Sequence, residues 1–184
     1  MRVISGCARG HKLKSLEGTE TRPTLDRIKE TLFNMIAPEI TECNFLDLFS
    51  GSGAIGIEAL SRGANTAVFV DSSYDCYEVI IENLEHTKLC DKAQVMNQDI
   101  FDAINELGNK NQKFDIIFID PPYEGGYDQN VLEHIIKSDI LNEDGLVIVE
   151  RAAKYDSPQV DGLKLIREKG FGKTTAISFF TLED

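Results

Sequence analysis

The sequence predicts an α/β fold around a doubly wound parallel sheet, and three observations carry that prediction. Short apolar runs such as Phe114-Asp115-Ile116-Ile117-Phe118-Ile119 read as strands buried on both faces, as strands of parallel sheets are. From Asn44 to Glu150 such runs alternate with helical patterns, and alternation implies crossover connections rather than hairpins. The glycine-rich segment Gly51-Ser52-Gly53-Ala54-Ile55-Gly56 joins the first run to an Ala/Leu/Glu helix, as a strand-to-helix turn that lets backbone approach a ligand does.

In chain order, Asn44 to Ser50 reads as a strand, followed by a helix near Ala54 to Ser61, the strand Thr66 to Val70 and a helix near Tyr74 to Glu85. Next come the strand around Val95 to Asp99, a short helix from Ile100, the strand Phe114 to Ile119, a helix near Gln129 to Ser138 and the strand Gly145 to Glu150. Leu163 to Arg167 and Thr174 to Thr181, separated by Lys169-Gly170-Phe171-Gly172-Lys173, read as a terminal hairpin. Ahead of all these, Ile4 to Gly10 reads as a strand and turn. Arg22 to Asn34 reads as an amphipathic helix with Thr24 as its N-cap and Ile28, Leu32 and Met35 on its apolar side. We therefore divide the chain into an amino-terminal basic extension, residues 1–42, and a ligand-binding domain, residues 43–184.

Composition sets the outer limits. With 184 residues, 42% of them hydrophobic, the chain can bury a good-sized core. It has no apolar run near membrane-spanning length and no signal peptide, so the expectation is a cytoplasmic protein without a membrane partner. Cys7, Cys43, Cys76 and Cys90 show no C-x-x-C spacing, which excludes a zinc framework and leaves free, mostly buried thiols; no metal is expected. Net charge is −12, yet residues 1 to 36 hold seven basic groups against four acidic ones, a local +3, so the remainder carries −15. A basic segment on an acidic protein suits a phosphate backbone, although a solvated basic face is the alternative.

The candidate chemistry lies at the strand ends, where open α/β sheets bind their ligands. Asp120-Pro121-Pro122-Tyr123 closes the run that ends at Ile119. Two prolines give up two N–H donors and leave carbonyl acceptors beside a carboxylate and an aromatic ring, a combination that suits a planar ring bearing an amino group. Asp47 lies within the first run, Asp71 follows Val70 about 18 residues past Gly53, and Asp99 closes the third run. Asp71 could accept ribose hydroxyls, while Asp71 and Asp99 could each instead cap the helix that follows. The glycine turn alone fits NAD, FAD or S-adenosylmethionine. Its order, with acid, acid and then Asp-Pro-Pro-Tyr closing successive strands, is what discriminates.

This order resembles the S-adenosylmethionine-dependent methyltransferases that modify exocyclic amino groups, in which a D/N-P-P-Y/F motif closes the fourth strand. The opening R-x-I-S-G-x-x-x-G, the R-P-T-x-D-R-x-K-E-x-L-F-N helix, D-L-F-S-G-S-G-A-I-G-I-E-A-L-S-R-G-A and F-I-D-P-P-Y together are similar to the bacterial 16S ribosomal RNA guanine-N2 methyltransferases of the RsmD type. The chain departs from that pattern in carrying Asp71 where glutamate is expected more often, and in its acidic balance. The resemblance implies a Rossmann-like seven-stranded sheet with an antiparallel last strand, and methyl transfer from S-adenosylmethionine to a guanine N2 amine of small-subunit rRNA within an assembling particle, by a monomer. It implies cofactor contacts from Asp47, Phe49, Gly51, Ser52, Gly53, Asp71, Asp99, Ile100 and Asp120, with Asp71 at the ribose and Asp99 and Ile100 at the adenine. Asp120, Pro121, Pro122 and Tyr123 would receive the amine and its ring, while Arg9, Arg22, Thr24 and Arg27 would lie toward the RNA.

Rival readings explain less of the chain. A DNA adenine-N6 or cytosine-N4 methyltransferase would need a sequence-reading domain for which 184 residues leave little room. A glutamine N5-methyltransferase favours Asn at position 120, and an NAD-dependent oxidoreductase leaves the Pro-Pro pair unexplained. An inactive binding module would hold cofactor without transferring methyl.

Overall fold

The computed structural model describes residues 1–16, 23–122 and 127–183, with the side chains of the first helix described from residue 26 onward. Its centre is a seven-stranded sheet in the order β3-β2-β1-β4-β5-β7-β6. The strands are β1 (Asn44–Leu48), β2 (Thr66–Asp71), β3 (Ala93–Asn97), β4 (Phe114–Ile119), β5 (Leu141–Ala152), β6 (Leu163–Phe171) and β7 (Thr175–Leu182). The first five pair in parallel, and β7 inserts antiparallel between β5 and β6.

Side-chain alternation along these strands builds two cores. Phe45, Phe69, Ile116, Phe118 and Ile148 point to one face, where they meet α1 (Pro23–Met35), α3 (Ala54–Ser61) and α4 (Tyr74–Thr87). Leu46, Val68, Ile117, Val147 and Val149 point to the other, against α5 (Ile100–Asn109) and α6 (Tyr127–Lys137). A short helix, α2 (Ala37–Ile40), links α1 to β1. Because both faces are covered, the central strands have no polar side to display, which is why their sequences read as continuous apolar runs.

The chain runs outward from β1 through β2 to β3, then returns past β1 to β4 and continues the other way. The crossovers thus change direction between β1 and β4, and a crevice opens at their carboxyl ends. Asp47 and Asp120 come from these two strands, with Leu48 level with Ile119 in the parallel register.

The amino-terminal segment departs from expectation. Ile4 to Gly10 joins no strand of the sheet; one antiparallel bridge, Arg2 to Lys12, closes residues 1–13 into a hook. Its partners lie more than 50 residues away on α3. The backbone N–H groups of Ile4 and Ser5 donate to the two oxygens of Glu58 at 2.8 and 3.0 Å, and Cys7 N–H donates to the Ser61 carbonyl at 2.8 Å. Gly6 has φ of +85°, and a Cβ there would come within 1.7 Å of that carbonyl oxygen, so the Ile-Ser-Gly signature is the shape of this docking. Glu58 also accepts from Arg62 Nε at 2.8 Å and pairs with Lys29 Nζ of α1 at 3.2 Å, while Lys29 donates to the Arg2 carbonyl at 2.6 Å. Val3, Ala8 and Leu13 of the hook and Ile28, Leu32 and Phe33 of α1 are buried in the same core as β1 and β2.

Helix α1 begins at Pro23, which puts Thr24 inside the first turn instead of at the N-cap; the fixed φ of proline suits the first helical position. Arg22 lies outside the described residues. All four cysteines are free, but only Cys43 and Cys76 are buried, since Cys7 and Cys90 sit on solvent-facing turns. Among the described residues no helix is long and apolar enough to cross a membrane.

Glu58 is completely buried, and removing its charge leaves the Lys29 ammonium without a counter-ion in the interior. Glu58→Gln should therefore lower the free energy of unfolding by about 3–5 kcal/mol, measured by urea denaturation; a loss below about 1 kcal/mol would show that the cluster does not anchor the hook.

Candidate functional site

The crevice between β1 and β4 opens into a cavity of about 250 Å³. Asp47, Phe49, Gly51, Ser52 and Asp120 line it from the strand ends and the glycine turn, and Met1, Leu16, Ile28, Lys29 and Leu32 line it from the amino-terminal side. The hook and α1 therefore form one wall of the site and the sheet forms the other.

The glycine turn is fixed by two carboxylates. Asp47, buried behind the turn, accepts from Gly56 N–H through Oδ2 at 2.9 Å. Asp71 accepts from Gly51 N–H through Oδ2 and from Ser73 N–H through Oδ1, each at 2.9 Å. Gly53, at φ +74°, caps α3 in a left-handed conformation, and a Cβ on Gly56 would lie 2.3 Å from the Phe69 ring, so the third glycine is required by helix-on-strand packing. A Cβ on Gly51, by contrast, would meet nothing within 4 Å, which leaves its backbone open to a ligand. Ser50 ties the end of β1 to β2, donating to the Asp47 carbonyl at 2.6 Å and accepting from Val70 N–H at 2.9 Å. Phe49 is held at φ +60°, an uncommon conformation for an aromatic residue, with its ring edge-on to Tyr127 at 5.7 Å between centroids.

Other expected residues fall around this centre. Asp71 touches the site through Gly51. Asp99 stands exposed at the end of β3 and caps α5, accepting from Phe101 N–H at 2.9 Å, whereas the Ile100 side chain is buried in the core beneath that helix. Asp71 caps no helix, because Ser73 takes that position on α4. Asp120 opens into the cavity, Pro121 behind it is buried and Pro122 is exposed; Tyr123 lies outside the described residues. Arg9 and Arg27 line a separate cleft together with Arg2 and Gly10, with Asp26 and Glu30 at its side.

Glu150, Lys29 and Ser50 also line the cavity, and sequence reasoning did not single them out as site residues. Glu150 belongs to β5, where Val149 is level with Ile119 of β4, so Glu150 stands beside Asp120. Aligning the ends of the buried runs would have revealed it.

Acids dominate the electrostatics. Burial holds the Asp47 carboxyl well above the usual carboxylate range despite the Gly56 N–H, and the charges of Asp120 and Asp71 add to the effect. Close packing around Asp120 pushes its carboxyl up to about 6 even though the side chain opens into the cleft. Burial, with the Asp120 charge second, raises Glu150 to about 8. Lys29, the cation on the facing wall, is held below its ordinary value by burial and is already committed to Glu58. The cavity thus presents carboxylates and carbonyls to its contents, an environment that attracts cationic and N–H-bearing groups.

Comparison with known proteins agrees with this architecture. The family described as Conserved hypothetical protein 95 matches residues 1–180. The Bacillus subtilis protein YlbH is 39% identical over 175 residues, 95% of each chain. Ribosomal RNA small subunit methyltransferase D of Escherichia coli K12 is 36% identical over 174 residues, 94% of this chain and 86% of that one. The solved Escherichia coli protein yhhF superposes with a TM-score of 0.86 at 34% identity, covering 100% of this chain and 98% of the other. Because the match begins at the amino-terminal hook and runs into the last strand, far beyond the shared glycine turn, the chain belongs to the Conserved hypothetical protein 95 family, the RsmD-type methyltransferases.

Proposed function

We propose that this protein transfers the methyl group of S-adenosylmethionine to the exocyclic N2 amine of a guanine in small-subunit ribosomal RNA, with Asp120 as the group that receives the amine. The observation that carries the proposal is the position of Asp120 at the carboxyl end of β4, open to a cavity that the glycine turn also lines. Relatives named Ribosomal RNA small subunit methyltransferase D support RNA as the substrate.

The residues present fit this cofactor. The Gly51 backbone faces open space, and each Asp71 oxygen accepts a single N–H from the protein, leaving a lone pair on each for the two ribose hydroxyls. The second Asp99 oxygen would face the adenine amine, with the Ile100 backbone beside the ring, while Asp47, Phe49, Ser52 and Gly53 shape the methionine end. The cofactor supplies a methyl group already activated on a positively charged sulfur. Asp120 and the Pro121 carbonyl accept the two N–H bonds of the amine, which turns the nitrogen lone pair out of the ring plane and toward the methyl. Asp120 also places negative charge where the nitrogen becomes positive, so its attraction is strongest in the transition state. Pro122 holds the turn, and Tyr123 stacks on the guanine. Arg9 and Arg27 guide the phosphate backbone to the hook, and Arg22 and Thr24 share that role. The acidic remainder favours docking as a monomer on an assembling ribosomal particle, whose proteins supply part of the surface.

Labelled cofactor incubated with naked rRNA, small subunits and DNA, followed by mass mapping, tests the reaction. N2-methylguanine in the RNA is the expected product, and label confined to DNA or protein would reject it. In the same assay Asp120→Ala should slow transfer by about 100-fold or more with cofactor affinity nearly unchanged; retained activity would remove Asp120 from the amine site. Neutralising Arg9 and Arg27 together should reduce the slope of log K against log salt for RNA binding by about 2, and equal slopes would place both off the RNA path.

A further inference from the structure

Asp120 and Glu150 end two adjacent parallel strands. Ile119 is level with Val149 in the parallel register, so the next residue of each strand follows on the same edge of the sheet; both line the same cavity, and the Asp120 charge is felt at Glu150. Among the described residues neither carboxylate has an ion pair or a hydrogen bond to its side chain, and the Lys29 ammonium on the opposite wall is spent on Glu58 and the Arg2 carbonyl. The other groups facing the pair are Asp47 from β1, with Asp71 of β2 behind it; Met1 borders the cavity from the hook. Two neighbouring carboxylates without a paired cation cannot both ionise cheaply, and the stable arrangement keeps one proton on the pair.

We propose that Asp120 and Glu150 form a one-proton carboxylate pair that releases its proton when a cationic ligand enters the cavity and recovers a proton from the methylated amine. This inference rests on the methyl-transfer reading above. With the cofactor's positive charge in place, both carboxylates ionise and the displaced proton leaves to solvent. During transfer the amine nitrogen bonds to the methyl carbon and the carbon–sulfur bond breaks with its electrons remaining on sulfur. The cavity loses its fixed positive charge at that moment, the proton affinity of the pair rises again, and the nitrogen gives its proton to Asp120. Each turnover then delivers one proton to solvent when the next cofactor binds, and the charges balance. Glu150 acts through Asp120, so its role is that of a positioning residue that sets the charge of Asp120. Burial raises both carboxyls, and the Asp120 charge adds to the rise at Glu150, so the pair as a unit keeps a proton in the range where isolated carboxylates have lost theirs.

Titration calorimetry with S-adenosylmethionine and the uncharged-sulfur product S-adenosylhomocysteine, at one pH near neutrality in buffers of different ionisation enthalpy, counts the protons released. The parent should release close to one more proton with the sulfonium than with the thioether, and Glu150→Gln should abolish that difference while still binding both. Equal proton counts for the two ligands in the parent, or an unchanged difference in the variant, would overturn the pair. If neither ligand binds the parent, the cofactor reading itself falls and the pair falls with it. A ligand-free measurement adds a second constraint. The folded protein holds the Glu150 proton above its ordinary pKa of 4.5, so parent stability falls as pH rises from there toward about 8. The melting temperature of Glu150→Gln should gain on the parent across that window, and a constant gap between them would contradict the shared proton.

Discussion

The structure turns on the buried carboxylate of Glu58. It gathers two backbone N–H groups of the hook, the Arg62 guanidinium and the Lys29 ammonium in one solvent-free cluster. A lone buried charge costs several kcal/mol in desolvation, and only a nearly complete set of partners makes its burial tolerable. That requirement works as a geometric specification. The hook, α1 and α3 must all be present before the cluster is satisfied, so the amino-terminal wall forms together with the sheet instead of hanging from it. The cavity exists because this wall stands against the carboxyl ends of β1 and β4.

A division of charge follows. Basic groups on the buried side of the wall are consumed by Glu58, while Arg2, Arg9 and Arg27 line the outer cleft. Inside, the strand ends supply Asp47, Asp120 and Glu150, and Lys29 on the facing wall is paired with Glu58. The net charge of −12 therefore does not by itself argue against an anionic polymer as substrate, because three arginines gather at the outer cleft.

How much of this was legible in the sequence depends on the range of the forces involved. Continuous apolar runs identified β1, β2 and β4 almost to the residue, because burial on both faces imprints itself locally. The glycine turn and the acids at successive strand ends were legible for the same reason: topology puts the carboxyl ends of parallel strands on one side of the sheet. The hook was misread as a strand. Its looped backbone satisfies its donors on Glu58 and Ser61, more than 50 residues distant, and no periodicity within Ile4 to Gly10 encodes that partner. Strand β5 begins at Leu141, before the expected Gly145, where the register against β4 shifts between Phe114 and Ile116. Glu150 escaped notice because a glutamate closing a strand forms no motif; it acquires meaning only from the level pairing of Val149 with Ile119.

The same pairing explains why a fold would retain so poor an electrostatic arrangement. Asp47, Asp120 and Glu150 all have carboxyls raised above their ordinary range, so ionising any of them in the empty cavity works against folding. Replacing them with apolar residues would stabilise the protein, as it often does for buried charges, and would leave nothing to attract a cation or an amine. The Glu58 cluster and the two-sided core supply the stability that makes the concentration of acids affordable. Repulsion stored at the strand ends becomes attraction for a positively charged ligand, and that attraction weakens once the ligand's charge has left on the methyl group. A site built this way discriminates by charge between the two forms of its cofactor without any moving part.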